Sequence, residues 1–225
     1  MHPMLLLDTC GSVGEVGVAD VTSDTQPRLL ASRGVPGRET QERLLPTITE
    51  LLTEVDLQIR DLQVLAVVSG PGSFTGVRIG LAAVKGLAEA LDRPVVALSR
   101  LAVLAAAAES SAPVEAWLDA GRGDVFRGRY QNAVCQGEHM VHGADAVRAL
   151  PENSVAVVTE ERLLAISPRL RWVRDIGVAQ MLPLAVAAAH AGRFAEPALL
   201  DANYLRVPDA ELALRARGVA AGVPL

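Results

Sequence analysis

Apolar residues along this chain repeat with two different periods, and the changes of period mark its elements. Short unbroken apolar runs at residues 5–7, 64–68 and 95–98 have the length and branching of buried strands. Beyond Gly76 the period changes, and Val77, Leu81, Val84, Ala88 and Leu91 recur at intervals of four and three. That spacing predicts a helix stopped by Pro94. Gly70-Pro71-Gly72 breaks the preceding run, and Ser73 or Thr75 is placed to cap the helix start. Strand, glycine turn, helix and strand in this order predict a parallel βαβ unit over residues 64–98. Upstream, Leu44, Ile48, Leu51, Leu52 and Val55 form the apolar stripe of a helix over 39–55. Pro46 implies that the regular helix starts near it or kinks there.

The chain opens with a hairpin, strand 5–7 returning as 16–18, with a third strand over 28–32. A helix from residue 99 or 100 to about 109 follows the βαβ unit, and Ser110 to Pro113 makes a plausible boundary. The strand–turn–strand theme then returns at 114–118, 125–130 and 133–135. The segment LDAGRGDVF echoes LDTCGSVGEV, which predicts two copies of one βββαβα plan. Helices near 145–150 and 160–167 alternate with strands at 155–158 and 170–173. A last helix at 181–191 is expected to cross back to the first half, and residues 216–225 are expected to fray. The division expected is 1–110 and 111–225.

Two readings stand for each glycine turn. Gly70, Gly72, Ser73, Thr75 and Gly76 lie where a helix start offers free N–H groups to an anion, or where a tight turn simply needs small residues. Asp8 and Thr9, followed by Gly11, end the first strand as a phosphate loop would, or as a carboxylate that accepts turn amides. Asp119, Gly121 and Gly123 fit a DxGxG phosphate loop. These hairpins resemble the phosphate loops of the actin, Hsp70 and sugar-kinase superfamily, whose active members carry a glycine pair for adenosine after a later strand; residues 157–161 read VVTEE there, and carboxylates would repel a triphosphate. On the helix after Gly76, Gly76, Gly80, Ala83 and Ala90 form a strip of small residues, and Gly86 is its third glycine. Each interior Gly costs about 1 kcal/mol against Ala, so another backbone, of this chain or of a partner, is expected to pack very close, most economically a second helix.

Composition narrows the class. Half of the 225 residues are hydrophobic and 21% are charged, as in a globular protein. Aromatics at 3% and a net charge of −5 argue against a base-stacking or phosphate-binding surface. Cys10 and Cys135 form neither a CxxC nor a disulfide framework, and Cys10 reads as a small buried thiol. His139 and His142 lie close in sequence without a metal-ligand pattern and read as loop residues. Apolar runs are too short for a signal peptide or a membrane span, which predicts a cytoplasmic protein.

The segment SGPGSFTGVRIGLAAVKGLA resembles the signature of the TsaB family, also called YeaZ. LLLDTCGSVGEVGV, ETQERLLPTITELL, WLDAGRGDVFRGRY and the late NYLR are similar to the same family, in the same order. The resemblance implies an α/β fold of the actin-like (Hsp70-like) ATPase superfamily, built of two ribonuclease-H-like domains. It implies a subunit without catalytic residues, metal or cofactor, which binds and organises TsaD. TsaD transfers a threonylcarbamoyl group to the tRNA adenosine beside the anticodon, with TsaE as an ATPase of the complex. Leu44, Ile48, Leu51, Gly76, Val77, Gly80, Leu81 and Ala83 lie on the two helices that the resemblance places at the partner interface, in a homodimer when the subunit is alone. Transfer RNA is then reached only through the complex. TsaD-type relatives carry an HxxxH metal pair on the first helix, whereas ETQERLLP stands here without histidine. A free-standing ATP-dependent kinase or a glycoprotease of the same superfamily is the opposing expectation.

Overall fold

The structure is a computed structural model that describes residues 2–23, 26–174 and 176–205. Arg206, which ends the NYLR segment, and the expected frayed tail lie outside the described residues.

Two five-stranded sheets repeat one topology. In the first half, β1 (Pro3–Asp8), β2 (Val13–Asp20) and β3 (Arg28–Pro36) form an antiparallel meander, then come α1 (Thr40–Glu54), β4 (Val64–Val68), α2 (Phe74–Leu91) and β5 (Val95–Leu98). The strand order is β3-β2-β1-β4-β5, with β4 and β5 parallel to β1. After α3 (Arg100–Ala106), the second half runs β6 (Val114–Gly121), β7 (Asp124–Gln131), β8 (Val134–His142), α4 (Gly143–Arg148), β9 (Val155–Val158) and β10 (Leu170–Trp172). Its order, β10-β9-β6-β7-β8, is the same pattern read from the other side. The doubled plan expected from the echoing hairpins is present in the strands, and a 3-10 turn at 161–165 stands in the second half where α2 stands in the first.

The central strand β1 is buried at every position, which explains why its sequence is continuously apolar rather than alternating. Leu44, Ile48 and Leu51 of α1 and Val77, Leu81 and Val84 of α2 pack into the core of this first sheet. Pro46 sits inside α1, beyond the first four residues whose N–H groups a helix leaves free, so the helix runs through it with one backbone hydrogen bond fewer. Ser73 caps α2 by accepting from the Gly76 N–H at 3.2 Å, so the cap is Ser73 rather than Thr75.

The last helix, α5 (Val178–His190), returns to the first sheet. A Cβ at Gly17 of β2 would lie 2.8 Å from Val178 Cγ2, so only glycine lets the helix sit this close. The Val178 N–H donates to Glu15 at 3.0 Å, satisfying one free donor of the helix start with a side chain of β2. Among the described residues no helix is long and apolar enough to cross a membrane.

Three expectations are corrected. His139 and His142 belong to β8, which extends to His142 instead of stopping at 135. This is an edge strand with mostly exposed side chains, so no apolar alternation marks it. Residues 161–165 form a short 3-10 turn rather than the helix expected over 160–167. The helix from residue 100 ends at Ala106, short of Glu109.

Candidate functional site

A cleft of about 880 Å³ lies between the halves, lined by the turn after β1, the start of α1, the start of α2, Arg100, Asp119 and residues 159–162. Its position follows from the topology. The carboxyl ends of β1, β4 and β5 meet at one sheet edge, which is where open α/β sheets form their crevice. They deliver Asp8, the Gly70–Ser73 turn and Arg100.

The two hairpin aspartates are held identically. Asp8 Oδ1 accepts the Cys10 N–H at 2.8 Å, and Asp119 Oδ1 accepts the Gly121 N–H at 2.8 Å. Each therefore closes its own turn two residues on. The second oxygen of each meets a guanidinium of this chain. Arg100 Nε stands 3.6 Å from Asp8 Oδ2, and Arg162 pairs with Asp119 Oδ2. Asp8 is only 4% exposed. Each carboxylate thus has a guanidinium of the same chain beside it, that of Arg100 largely buried and that of Arg162 largely exposed, where a metal or a basic residue of a nucleotide enzyme would otherwise work. Gly121, Arg122 and Gly123 all have positive φ, a backbone that favours glycine at the first and last of these positions.

Thr9 turns inward rather than toward the cleft. Its hydroxyl donates to the Gly76 carbonyl at 2.7 Å. A Cβ at Gly76 would collide with the Thr9 carbonyl oxygen, and one at Gly80 with Thr9 Oγ1. The close neighbour that these two glycines admit is therefore the β1 turn of the same chain, not a second helix. Gly86, by contrast, has no described residue within 4 Å of where a Cβ would stand. Gly11 packs against the Arg100 guanidinium, 2.9 Å from the place of a Cβ.

The Cys10 thiol is buried, 3.4 Å from the Val68 carbonyl oxygen. Burial first, and the Asp8 charge second, push it well above the usual thiol range, so it stays protonated. Among the described residues no group of three or more His, Cys, Asp or Glu side chains is placed to hold a metal ion.

The expected partner residues separate into two sets. Leu44, Ile48, Leu51, Gly76, Val77, Gly80 and Leu81 are buried within the chain's own first half, and Ala83 is half-buried. The exposed positions of the two helices are others: Leu45 at 54%, with Pro46, Ala82, Gly86 and Ala90. Ala82, Gly86 and Ala90 are four apart and share one side of α2.

Sequence reasoning missed Arg38, Arg100 and Arg162 in the cleft. A signal existed for Arg100, because it opens the helix that follows a parallel strand, at the edge where the crevice forms. Arg162 reaches Asp119 across 43 residues of chain, with no local pattern to betray it.

A family model described as TsaD, tRNA N6-adenosine threonylcarbamoyltransferase, matches residues 34–153, more than half of the chain. The structure of YeaZ from Pseudomonas aeruginosa superimposes with a TM-score of 0.75 at 28% identity, over 91% of this chain and 100% of that one. A second structure, described as a protein with similarity to the peptidase YeaZ from Pseudomonas aeruginosa, gives a TM-score of 0.77 at 30% identity, over 92% and 100%. The chain belongs to the TsaB (YeaZ) family. The tRNA threonylcarbamoyladenosine biosynthesis protein TsaB of Escherichia coli is 37% identical over 107 residues, covering 45% of this chain and 46% of that protein. The TsaB of Bacillus subtilis is 42% identical over 90 residues, covering 40% and 39%. The chain thus spans about half the length, or less, of these curated TsaB relatives in the matched regions.

Proposed function

We propose that this protein acts in the biosynthesis of threonylcarbamoyladenosine on tRNA as a subunit without catalytic residues, docking onto TsaD. The observation that carries the reading is the pairing of Asp8 with Arg100 and of Asp119 with Arg162. A phosphate-transfer site of this superfamily needs those carboxylates free for a cation beside the phosphates. Here two arginines of the chain take that charge, and Thr159 and Glu160 line the cleft in place of an adenosine-seating glycine pair. The names of the TsaB relatives supply the pathway.

The docking face is the exposed side of α1 and α2, with Leu45, Pro46, Ala82, Ala83 and Gly86 in contact and Leu44, Ile48, Leu51, Val77 and Leu81 fixing the helices from beneath. Small residues on α2 allow a partner helix to approach closely. The same face serves a homodimer when TsaD is absent, and TsaE joins through the TsaD complex. An acidic chain with few aromatics leaves tRNA contact to its partners. Sedimentation of this protein with TsaD tests the reading. A stoichiometric complex from the parent and two separate species from Leu45→Glu are expected; a Leu45→Glu variant that folds and binds undiminished would remove this face from the account.

A further inference from the structure

Residues 200–205 run from one half of the molecule to the other. Leu200 is buried with the first sheet, and Leu205 packs against the cluster of Leu101, Leu104 and Tyr130 at the second. Between them Asn203 contacts both halves. Its backbone N–H donates to the Ser69 carbonyl at 2.7 Å, just past the end of β4. Its side-chain amide donates to Glu138 Oε2 on β8 at 2.7 Å. The other Glu138 oxygen accepts the hydroxyl of Tyr130 from β7. Tyr130 is buried, and burial first and the neighbouring Glu138 charge second raise its pKa, so the hydroxyl remains a donor. Both Glu138 oxygens thus have a hydrogen-bond partner. One residue further, Tyr204 lies on the first turns of α2, where its hydroxyl accepts from Arg78 Nε at 2.8 Å. Arg78 in turn lies 3.6 Å over the Phe74 ring, and the Phe74 and Tyr204 rings are 5.7 Å apart.

Elsewhere the described halves meet through α3 and α5. Val103 of α3 belongs to the first sheet's apolar cluster, Leu101 and Leu104 of the same helix belong to the second's, and α3 packs on α5. The chain crosses between α3 and β6, around Ser110–Pro113, and again between β10 and α5. A hinge at this base leaves the opening of the cleft to be set by contacts that bridge it. We infer that residues 202–205 are a clasp that sets this opening: with Asn203 on Glu138 the halves are held at the observed width, and with that bond broken the second half swings on its linkers. The bond has the chemistry of a latch. A neutral amide meets a half-buried carboxylate in one charge-assisted hydrogen bond, strong enough to hold and single enough to release. Because Tyr204 and Asn203 are adjacent, the latch also joins the cleft's width to the start of α2.

Electron–electron distance measurement between two spin labels reads the opening directly. Thr53→Cys on α1 and Glu152→Cys beyond α4 are exposed positions on opposite halves. Cys135→Ser removes the exposed native thiol, while Cys10 is buried. The labelled parent should give one narrow distribution. Asn203→Ala, Glu138→Ala and the double variant should each shift it to longer distances and broaden it; Glu138→Ala also removes the Tyr130 acceptor, and the double variant should open no further than Glu138→Ala, whose clasp bond is already broken. A thermal melt accompanies each. A parent-like distribution in a folded variant would overturn the clasp. So would failure of both single variants to fold, which would make the bond part of the core rather than a latch.

Discussion

Thr9 and Gly80 share one space: the threonine hydroxyl, bonded to the Gly76 carbonyl, stands where a Cβ on Gly80 would be. The turn after β1 is thereby pressed onto α2, which fixes the position of the aspartate before it and of the helix that the partner is proposed to meet. Gly80→Ala should gain up to about 1 kcal/mol of helix propensity and lose about 1–3 kcal/mol to overpacking. The expected net result is destabilisation, read in a urea titration. In a Thr9→Ala background the collision with Oγ1 is gone and the same change should become neutral or stabilising. Equal effects in the two backgrounds would contradict the shared-space account.

Gly86 is the control on the same helix. Among the described residues nothing lies within 4 Å of an added Cβ. Gly86→Ala should raise stability by about 0.5–1 kcal/mol through the loss of unfolded-chain freedom. Denaturation midpoints should therefore move in opposite directions for Gly80→Ala and Gly86→Ala. A fall for both would place unseen packing around Gly86.

The helices, the central strands and the doubled plan are legible in the sequence because each depends on local periodicity. β1 and β4 read as buried strands, and the echo between the two hairpins announces the repeat before any contact is known. What was not legible depends on pairs far apart in the chain. Gly76 and Gly80 signal close packing correctly, but only Thr9, some 70 residues earlier, reveals that the neighbour is internal. The edge strand β8 carries no apolar alternation, so His139 and His142 pass for a loop. The aspartates were visible as loop residues, and their arginines were not. A strand-end Asp reads the same whether a metal or Arg100 faces it.

The second sheet carries a buried ion network. Glu115, fully buried, accepts from Arg127 Nε and Arg129 Nε, each at 2.6 Å, and Arg127 is itself 6% exposed. Removing Glu115 leaves the buried Arg127 without its counter-charge. Glu115→Leu should cost about 3–5 kcal/mol, whereas the joint change Glu115→Leu with Arg127→Met should recover most of it. Thermal unfolding of the single and joint variants checks this, and strict additivity of the single losses would contradict it.

The two cysteines should differ sharply in reactivity. Cys135 is exposed, while Cys10 is buried and its thiol pKa is raised. A native-state reaction with a chromogenic disulfide at pH 8 should titrate one thiol per chain, and the second should follow only on unfolding. Because the folded Cys10 holds its proton above the range in which the unfolded thiol loses it, stability should decline as pH climbs through and beyond the ordinary thiol pKa. Rapid modification of both thiols in the folded protein would refute the buried position of Cys10.

The most direct test of the subunit account is the threonylcarbamoyladenosine content of tRNA, measured by nucleoside mass spectrometry, in cells whose only TsaB is a variant of this chain. Asp8→Asn with Asp119→Asn removes the two loop carboxylates, and Leu45→Glu with Gly86→Glu charges the exposed side of α1 and α2; each variant is first shown to fold. The account predicts that the loop variant sustains modification near the parent level and that the face variant loses it. Loss with the loop variant and retention with the face variant would contradict the account and return the cleft to catalysis.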